Sequence, residues 1–310
     1  MTAVTPPIHA EPQGTGTTPP PAGRKRLSRR VAESNNQLFN ASPLNYIVLV
    51  ITFILSVFPL YWMLVMASRR NDEIVQVPPV LTPGDRLGAN FTALFDNADV
   101  MFAKALMNSF IVAGTITVVV VILSALAGFA FAKLRFRGNG VLLALVVLTM
   151  MVPIQLGTVP LYMMMDWLGI QGTLATVILP YLASGFGVFM MRQYASQSVP
   201  DELIEAARVD GASTLRIFWS VVLPALRPAA AILGLFTFMT YWNDFLWPYV
   251  ALSPENPTVQ VALSRLSTGY YTDQSLVMAG TLMATLPLLA VVILFGRQLI
   301  SGIMDGAVKA

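Results

Sequence analysis

Between Pro200 and Trp219 the chain reads PDELIEAARVDGASTLRIFW, with four acids (Asp201, Glu202, Glu205, Asp210) and two arginines (Arg208, Arg216) in a protein of which only 11% of residues are charged. Two readings are open for such a stretch. It is either a charge-assisted contact with a partner, or a solvated helix surface on which Glu205 and Arg208 form an i, i+3 pair worth about 0.2–0.5 kcal/mol. Catalysis has almost nothing to build on. The chain has no cysteine, which excludes thiol chemistry, disulfides and Cys-ligated metals, and its single histidine, His9, lies in the Pro/Gly/Thr-rich lead VTPPIHAEPQGTGTTPPPAGRKR. A phosphate loop needs Gly-Lys-Ser/Thr, yet the four lysines, Lys25, Lys104, Lys133 and Lys309, follow Arg24, Ala103, Ala132 and Val308. No catalytic residue, metal ligand or cofactor is therefore expected in this chain.

The elements that must position the acidic stretch are read from hydropathy. With 55% hydrophobic residues and a mean hydropathy of +0.67 the chain is far more apolar than an ordinary soluble domain. Six apolar runs are each about long enough to cross a hydrocarbon core roughly 30 Å thick: residues 44–67, 105–132, 141–165, 173–191, 221–247 and 276–295. The expected fold is an all-α integral membrane protein, a six-span domain over 44–310 behind an N-terminal extension, 1–43, whose composition cannot bury a core. The basic cluster Arg24, Lys25, Arg26, Arg29 and Arg30 precedes the first span closely enough to read as topogenic rather than as a nucleic-acid site.

Six spans with both termini in the cytoplasm leave five basic residues outside, Arg69, Arg70, Arg86, Lys104 and Arg265, and the other fourteen inside. That asymmetry follows the positive-inside rule, with Arg69 and Arg70 dissenting. The acidic stretch then lies in a cytoplasmic loop, 198–222. Ser198 and Asp201 have capping-box spacing, with Pro200 tolerated in the first turn. Gly211 suits a C′ position of positive φ, and Ser213 can cap a second helix. Leu215, Phe218, Trp219 and Val222 fall on one helical face. A helix, a glycine turn and a second helix ending at Pro224 are expected.

The run EAARVDGASTLRIFWSVVLPALRP resembles the EAA loop of binding-protein-dependent ABC transporter permeases. The likeness extends to LGIQGTLATVILPY (168–181), YWNDFLWP (241–248) and the tail GAVKA (306–310), and covers everything after the extension. Together these motifs resemble the shorter permease subunit of the carbohydrate-uptake branch, of the maltose-transporter type. The resemblance implies that the loop carries coupling helices docked on a separate ATPase, with Glu205, Ala206, Ala207, Asp210, Gly211, Leu215 and Phe218 at the contact. It also implies a second permease subunit completing a heterodimer, an ATPase dimer that binds the ATP and magnesium, and an extracytoplasmic solute-binding protein. No nucleic acid partner is expected.

Trp242, Asn243 and Asp244 combine an aromatic face with polar acceptors and are candidates for the translocation path or for a contact with the partner permease. The bland reading is an aromatic belt residue with polar neighbours. Tyr270 and Tyr271, in the outer loop 253–274, are candidate anchors for the binding protein. Pro153, Gly157 and Pro160 in the third span, and Pro180, Gly185 and Gly187 in the fourth, are where helices are expected to bend. The solute is expected to be a carbohydrate, a di- or oligosaccharide, with glycerol phosphate as the alternative. An ion-coupled secondary carrier is the rival from another class. It would need ionisable groups in the spans, where each charge costs about 2.5–3.5 kcal/mol, and the sequence offers Asp244 alone.

Overall fold

A computed structural model describes residues 42–267 and 272–307, and it separates the chain into two units, Met1–Phe58 and Pro59–Ala310. Tyr270 and Tyr271 lie outside the described residues. The first unit, from residue 42, is the opening of helix α1 (Pro43–Ala67), which runs on into the second. Its 25 residues are apolar on every face, as a helix solvated by lipid must be.

In the second unit the described residues form short helices α2 (Asn71–Ile74) and α3 (Leu87–Asp96), then the long α4 (Phe102–Lys133). There follow α5 (Asn139–Met150), a 3-10 turn and α6 (Thr158–Trp167), α7 (Leu174–Ile178) with a second 3-10 turn, and α8 (Gly185–Ser198). The polar loop contributes α9 (Asp201–Val209) and α10 (Thr214–Ile217). A π turn (Phe218–Val222) joins α10 to α11 (Leu223–Trp242), and α12 (Leu246–Ala251), α13 (Val259–Ser267) and α14 (Gln274–Ala307) complete the order. Helix α4 is the hub, packed on α8 and α11. Its contact with α8 is close enough that a Cβ on Gly128 would stand 2.7 Å from the backbone of Met191 and Arg192. Only a residue without a side chain lets the two backbones meet there.

Among the described residues four helices are individually long and apolar enough to cross a membrane, and the number rises to six if each of two bent pairs counts as one span. The expected single span 141–165 is instead two helices bent by 88° at Met151–Pro153, and 173–191 is bent by 41° ahead of Gly185. Both breaks fall at the Pro and Gly positions noted above, where a missing N–H or side chain weakens the ladder.

Three local expectations are corrected. Ser198 ends α8 and caps nothing; Pro200 holds the cap position of α9 without a side-chain bond. Pro224 does not end the second loop helix, because residues 214–242 form one helix. The π turn lies where Pro224 leaves the Ser220 carbonyl without its α-helical donor, and a wider turn accommodates that loss. The fifth span accordingly stops at Trp242 rather than 247.

Segments between the long helices are tied by backbone and side-chain bonds. Gly172 pairs with Leu252, and Asn256 donates to the Gly172 carbonyl. Arg69, the dissenter in the charge count, donates to the Thr82 carbonyl and hydroxyl and pairs with Glu73 at 3.1 Å.

Candidate functional site

The polar loop is built by local rules. Helix α9 opens with Asp201 and Glu202 in its first turn, where the helix dipole favours acids. It closes in a Schellman motif: the N–H of Ala212 donates to the Ala207 carbonyl and that of Gly211 to Arg208. The motif requires a left-handed residue, and Gly211 supplies it at φ +77° with Asp210 as the C-cap. Ser213 then accepts from the Arg216 N–H and starts the second helix.

Three contacts fix the loop to the bundle. Lys133, the last residue of α4, places its Nζ 2.7 Å from Oδ1 of Asp201, the first residue of α9. The lysine side chain is only 7% exposed. Its hydrogen bond and then its charge hold the Asp201 carboxyl below the ordinary aspartate range. Ile204 and Ile217 are buried in the core, and the ring of Phe218 lies 5.9 Å from that of Phe129 on α4.

What remains is outward. Glu205, Ala206, Asp210, Gly211 and Leu215 are exposed, and Ala207 is half-buried against the core. Phe218 is buried, so it braces the loop from inside and is not a contact residue. The face predicted from Leu215, Phe218, Trp219 and Val222 is therefore divided, because the π turn changes the residue period: Leu215 and Trp219 are exposed, Phe218 and Val222 buried. Sequence reasoning passed over the exposed Leu203 and Val209, the latter 88% exposed. With Leu215 and Trp219 they leave apolar area on a polar loop, which marks a surface awaiting a partner. The legible signal was an apolar residue on the face of α9 opposite the buried Ile204.

At the other end of α11 the structure corrects a candidate. Trp242 is 1% exposed, stacked on Phe238, edge-on to Phe110, and its Nε1–H donates to the Ala284 carbonyl at 3.0 Å. In this structure the indole is enclosed by its own chain and serves as a packing residue. Asn243 is exposed, donating to Met239 and accepting from Gln260. Asp244 is half-buried, two residues ahead of α12, whose cap position is held by Phe245.

The two bends open space. A cavity of about 720 Å³ is lined by Pro153 and Gly157 of the first break and by Pro180, Tyr181, Ser184 and Gly185 of the second. A neighbouring cavity of about 330 Å³ shares Ser184, Phe186 and Tyr241 with it and adds Thr237 and Thr240. The rings of Tyr181 and Tyr241 stand 5.0 Å apart on this wall. Among the described residues no group of three His, Cys, Asp or Glu gathers to hold a metal.

Residues 120–303 match the family described as "Binding-protein-dependent transport system inner membrane component". The chain is 34% identical over 267 residues to the sn-glycerol-3-phosphate transport system permease protein UgpE of Yersinia enterocolitica, covering 84% of this chain and 95% of the relative. It is 34% identical over 270 residues to the lactose transport system permease protein LacG of Rhizobium radiobacter, with 85% and 95% covered. It is 30% identical over 259 residues to the arabinooligosaccharides transport system permease protein AraQ of Bacillus subtilis, with 83% and 92% covered. In fold it is similar, at a TM-score of 0.72 and 23% identity, to a chain from the crystal structure of a bacterial ABC transporter involved in the import of the acidic polysaccharide alginate, covering 90% of this chain and 99% of that one.

Proposed function

The chain belongs to the inner membrane components of binding-protein-dependent transport systems, as a permease of the carbohydrate-uptake ABC importers, and from that premise we propose that it passes a saccharide across the cytoplasmic membrane on energy received through residues 198–222. One observation carries the coupling: the exposed surface of Leu203, Glu205, Val209, Leu215 and Trp219 sits on a loop clamped to α4 and continuous with the helix 214–242. A surface clamped in that way passes a push to the bundle, whereas a solvated loop would absorb it.

The partners in this reading are a second, related permease, an ATPase dimer that holds ATP and magnesium, and an extracytoplasmic binding protein. In this reading the chain crosses six times, each bent pair counted once, with both termini and the loop in the cytoplasm, and the fourteen-to-five distribution of basic residues supports that orientation. Glu205 meets a cationic group on the ATPase, and the apolar residues around it exclude water from that contact. The outer loop that carries Tyr270 and Tyr271 faces the binding protein.

The test is Glu205→Lys in the transporter reconstituted with its ATPase and binding protein. The variant is expected to insert at normal levels and to bind the partner permease. Substrate-stimulated ATP hydrolysis and uptake are expected to fall at least tenfold. Wild-type hydrolysis and uptake by this variant would defeat the coupling assignment.

A further inference from the structure

We infer that the twin cavity behind the two helix breaks is a saccharide subsite contributed by this chain, walled by Tyr181, Phe186 and Tyr241, edged by the hydroxyls of Ser184, Thr237 and Thr240, and selective for neutral sugars over anionic solutes. The inference rests on the importer reading above and names the class of solute it carries. Size comes first: about 720 Å³ falls within the roughly 300–1,000 Å³ range of small-molecule sites.

Wall chemistry comes second. A pyranose or furanose ring presents apolar C–H faces and a rim of hydroxyls. Aromatic faces receive the first, and groups that both donate and accept receive the second. The Ser184 Oγ accepts from the Gly187 N–H, which leaves its proton for a ligand. Thr237 and Thr240 spend their protons on the carbonyls of Leu233 and Phe236, which leaves oxygen lone pairs facing outward as acceptors. Donor and acceptor edges therefore stand beside the tyrosine pair.

Charge comes third. No lysine, arginine or histidine is among the described residues that line either cavity. A phosphate ester or a uronate entering here would find no counter-ion on this wall, so burying its charge there goes uncompensated. The breaks themselves give the site its place. Backbone freed at Pro153 and Pro180 is tolerated at membrane depth where it lines a wet cavity rather than lipid.

Because the chain lacks cysteine, the single variants Thr240→Cys and Phe186→Cys report on the cavity directly in the reconstituted transporter. The reagent is a charged, water-soluble methanethiosulfonate. The probes are four neutral sugars (lactose, maltose, raffinose, arabinotriose) and two anions (sn-glycerol 3-phosphate, glucuronate). Both cysteines are expected to react from water, and at least one neutral sugar is expected to slow the reaction about fivefold or more while neither anion does. Modification only by a lipid-soluble maleimide would place the cavity against lipid and overturn the proposal. So would protection by an anion, or by none of the six. Tyr241→Phe is expected to keep most uptake of the protecting sugar and Tyr241→Leu to lose it about tenfold; equal uptake by both would remove the aromatic wall from the argument. These readouts do not pass through Glu205, so protection can hold where the coupling assignment fails, and the coupling assignment can hold where protection fails.

Discussion

The ammonium of Lys133 and the carboxylate of Asp201, 68 residues apart in sequence, meet at 2.7 Å and join the C-terminal end of α4 to the start of α9. Each stands at the helix end whose dipole favours its charge, the cation at a C-terminus and the acid at an N-terminus. The loop is thereby seated by electrostatics as well as by the buried Ile204.

Neutralising either partner should loosen that seat. Asp201→Asn and Lys133→Met are expected to raise amide hydrogen exchange across α9 severalfold at neutral pH, with the swap Lys133→Asp/Asp201→Lys restoring part of the protection. The pH dependence follows from the lowered Asp201 pKa. The contribution is complete above the unfolded aspartate value of about 3.9 and is lost as the pH falls through the lower folded value. Wild-type exchange in α9 should therefore stay flat, after correction for its intrinsic rate, from pH 8 to about pH 4. Single variants that exchange like the wild type would assign the seat to Ile204 and Phe218 alone.

Gly211 sits at φ +77° with open space where a Cβ would go. The cost of replacing it is therefore conformational rather than steric. Gly211→Val should cost about 1–3 kcal/mol of local strain, whereas Gly211→Asn, which visits the left-handed region more readily, should cost less. Coupled ATPase activity is expected in the order Gly, Asn, Val. Equal activity of all three would show that the turn does not set the angle between the loop helices.

Trp242 is expected to behave as a core residue. Trp242→Phe removes the indole bond to the Ala284 carbonyl, which lies within α14, and should lower the melting temperature of the detergent-purified chain slightly, consistent with about 0.5–1.5 kcal/mol for one net hydrogen bond. Trp242→Ala should cost more, about 3–5 kcal/mol. Neither should change which sugars are carried once protein levels are matched. A change in preference at normal stability would return the residue to the path.

Topology can be read with single cysteines at two exposed sites, Thr214→Cys in the loop and Glu255→Cys in the opposite segment. Thr214→Cys should label only after the cytoplasmic face is opened, and Glu255→Cys in intact cells. Labelling of both from one side would defeat the six-span arrangement.

The parts of this molecule legible in the sequence are those decided within a few residues. Gly211 and Ser213 bound the two loop helices because a Schellman turn and an N-cap are local devices, and the apolar runs of α1 and α4 announce themselves by length. Pro153 and Gly157 mark a break, yet nothing local distinguishes a slight kink from the 88° turn that opens a cavity. Groups paired across the fold mislead most. Trp242 reads as a candidate for the path or a partner contact until Ala284, 42 residues on, takes up its N–H. The same distance hid the Lys133–Asp201 pair.

The helix from Thr214 to Trp242 counts 29 residues, so at about 1.5 Å each it is roughly 44 Å long. Its first turn belongs to the loop, and Tyr241 of the cavity wall stands one residue from its far end. A stiff rod multiplies angle by length. A swing of about 5° at the loop moves the far end by about 4 Å, on that same rise per residue. That is wider than a water molecule, and enough to part the wall at Tyr241 from the rings that face it. On the coupling proposed above, angular amplification along one helix spares the bundle any need to deform in between: a modest shift at the loop would arrive as an opening at the cavity wall.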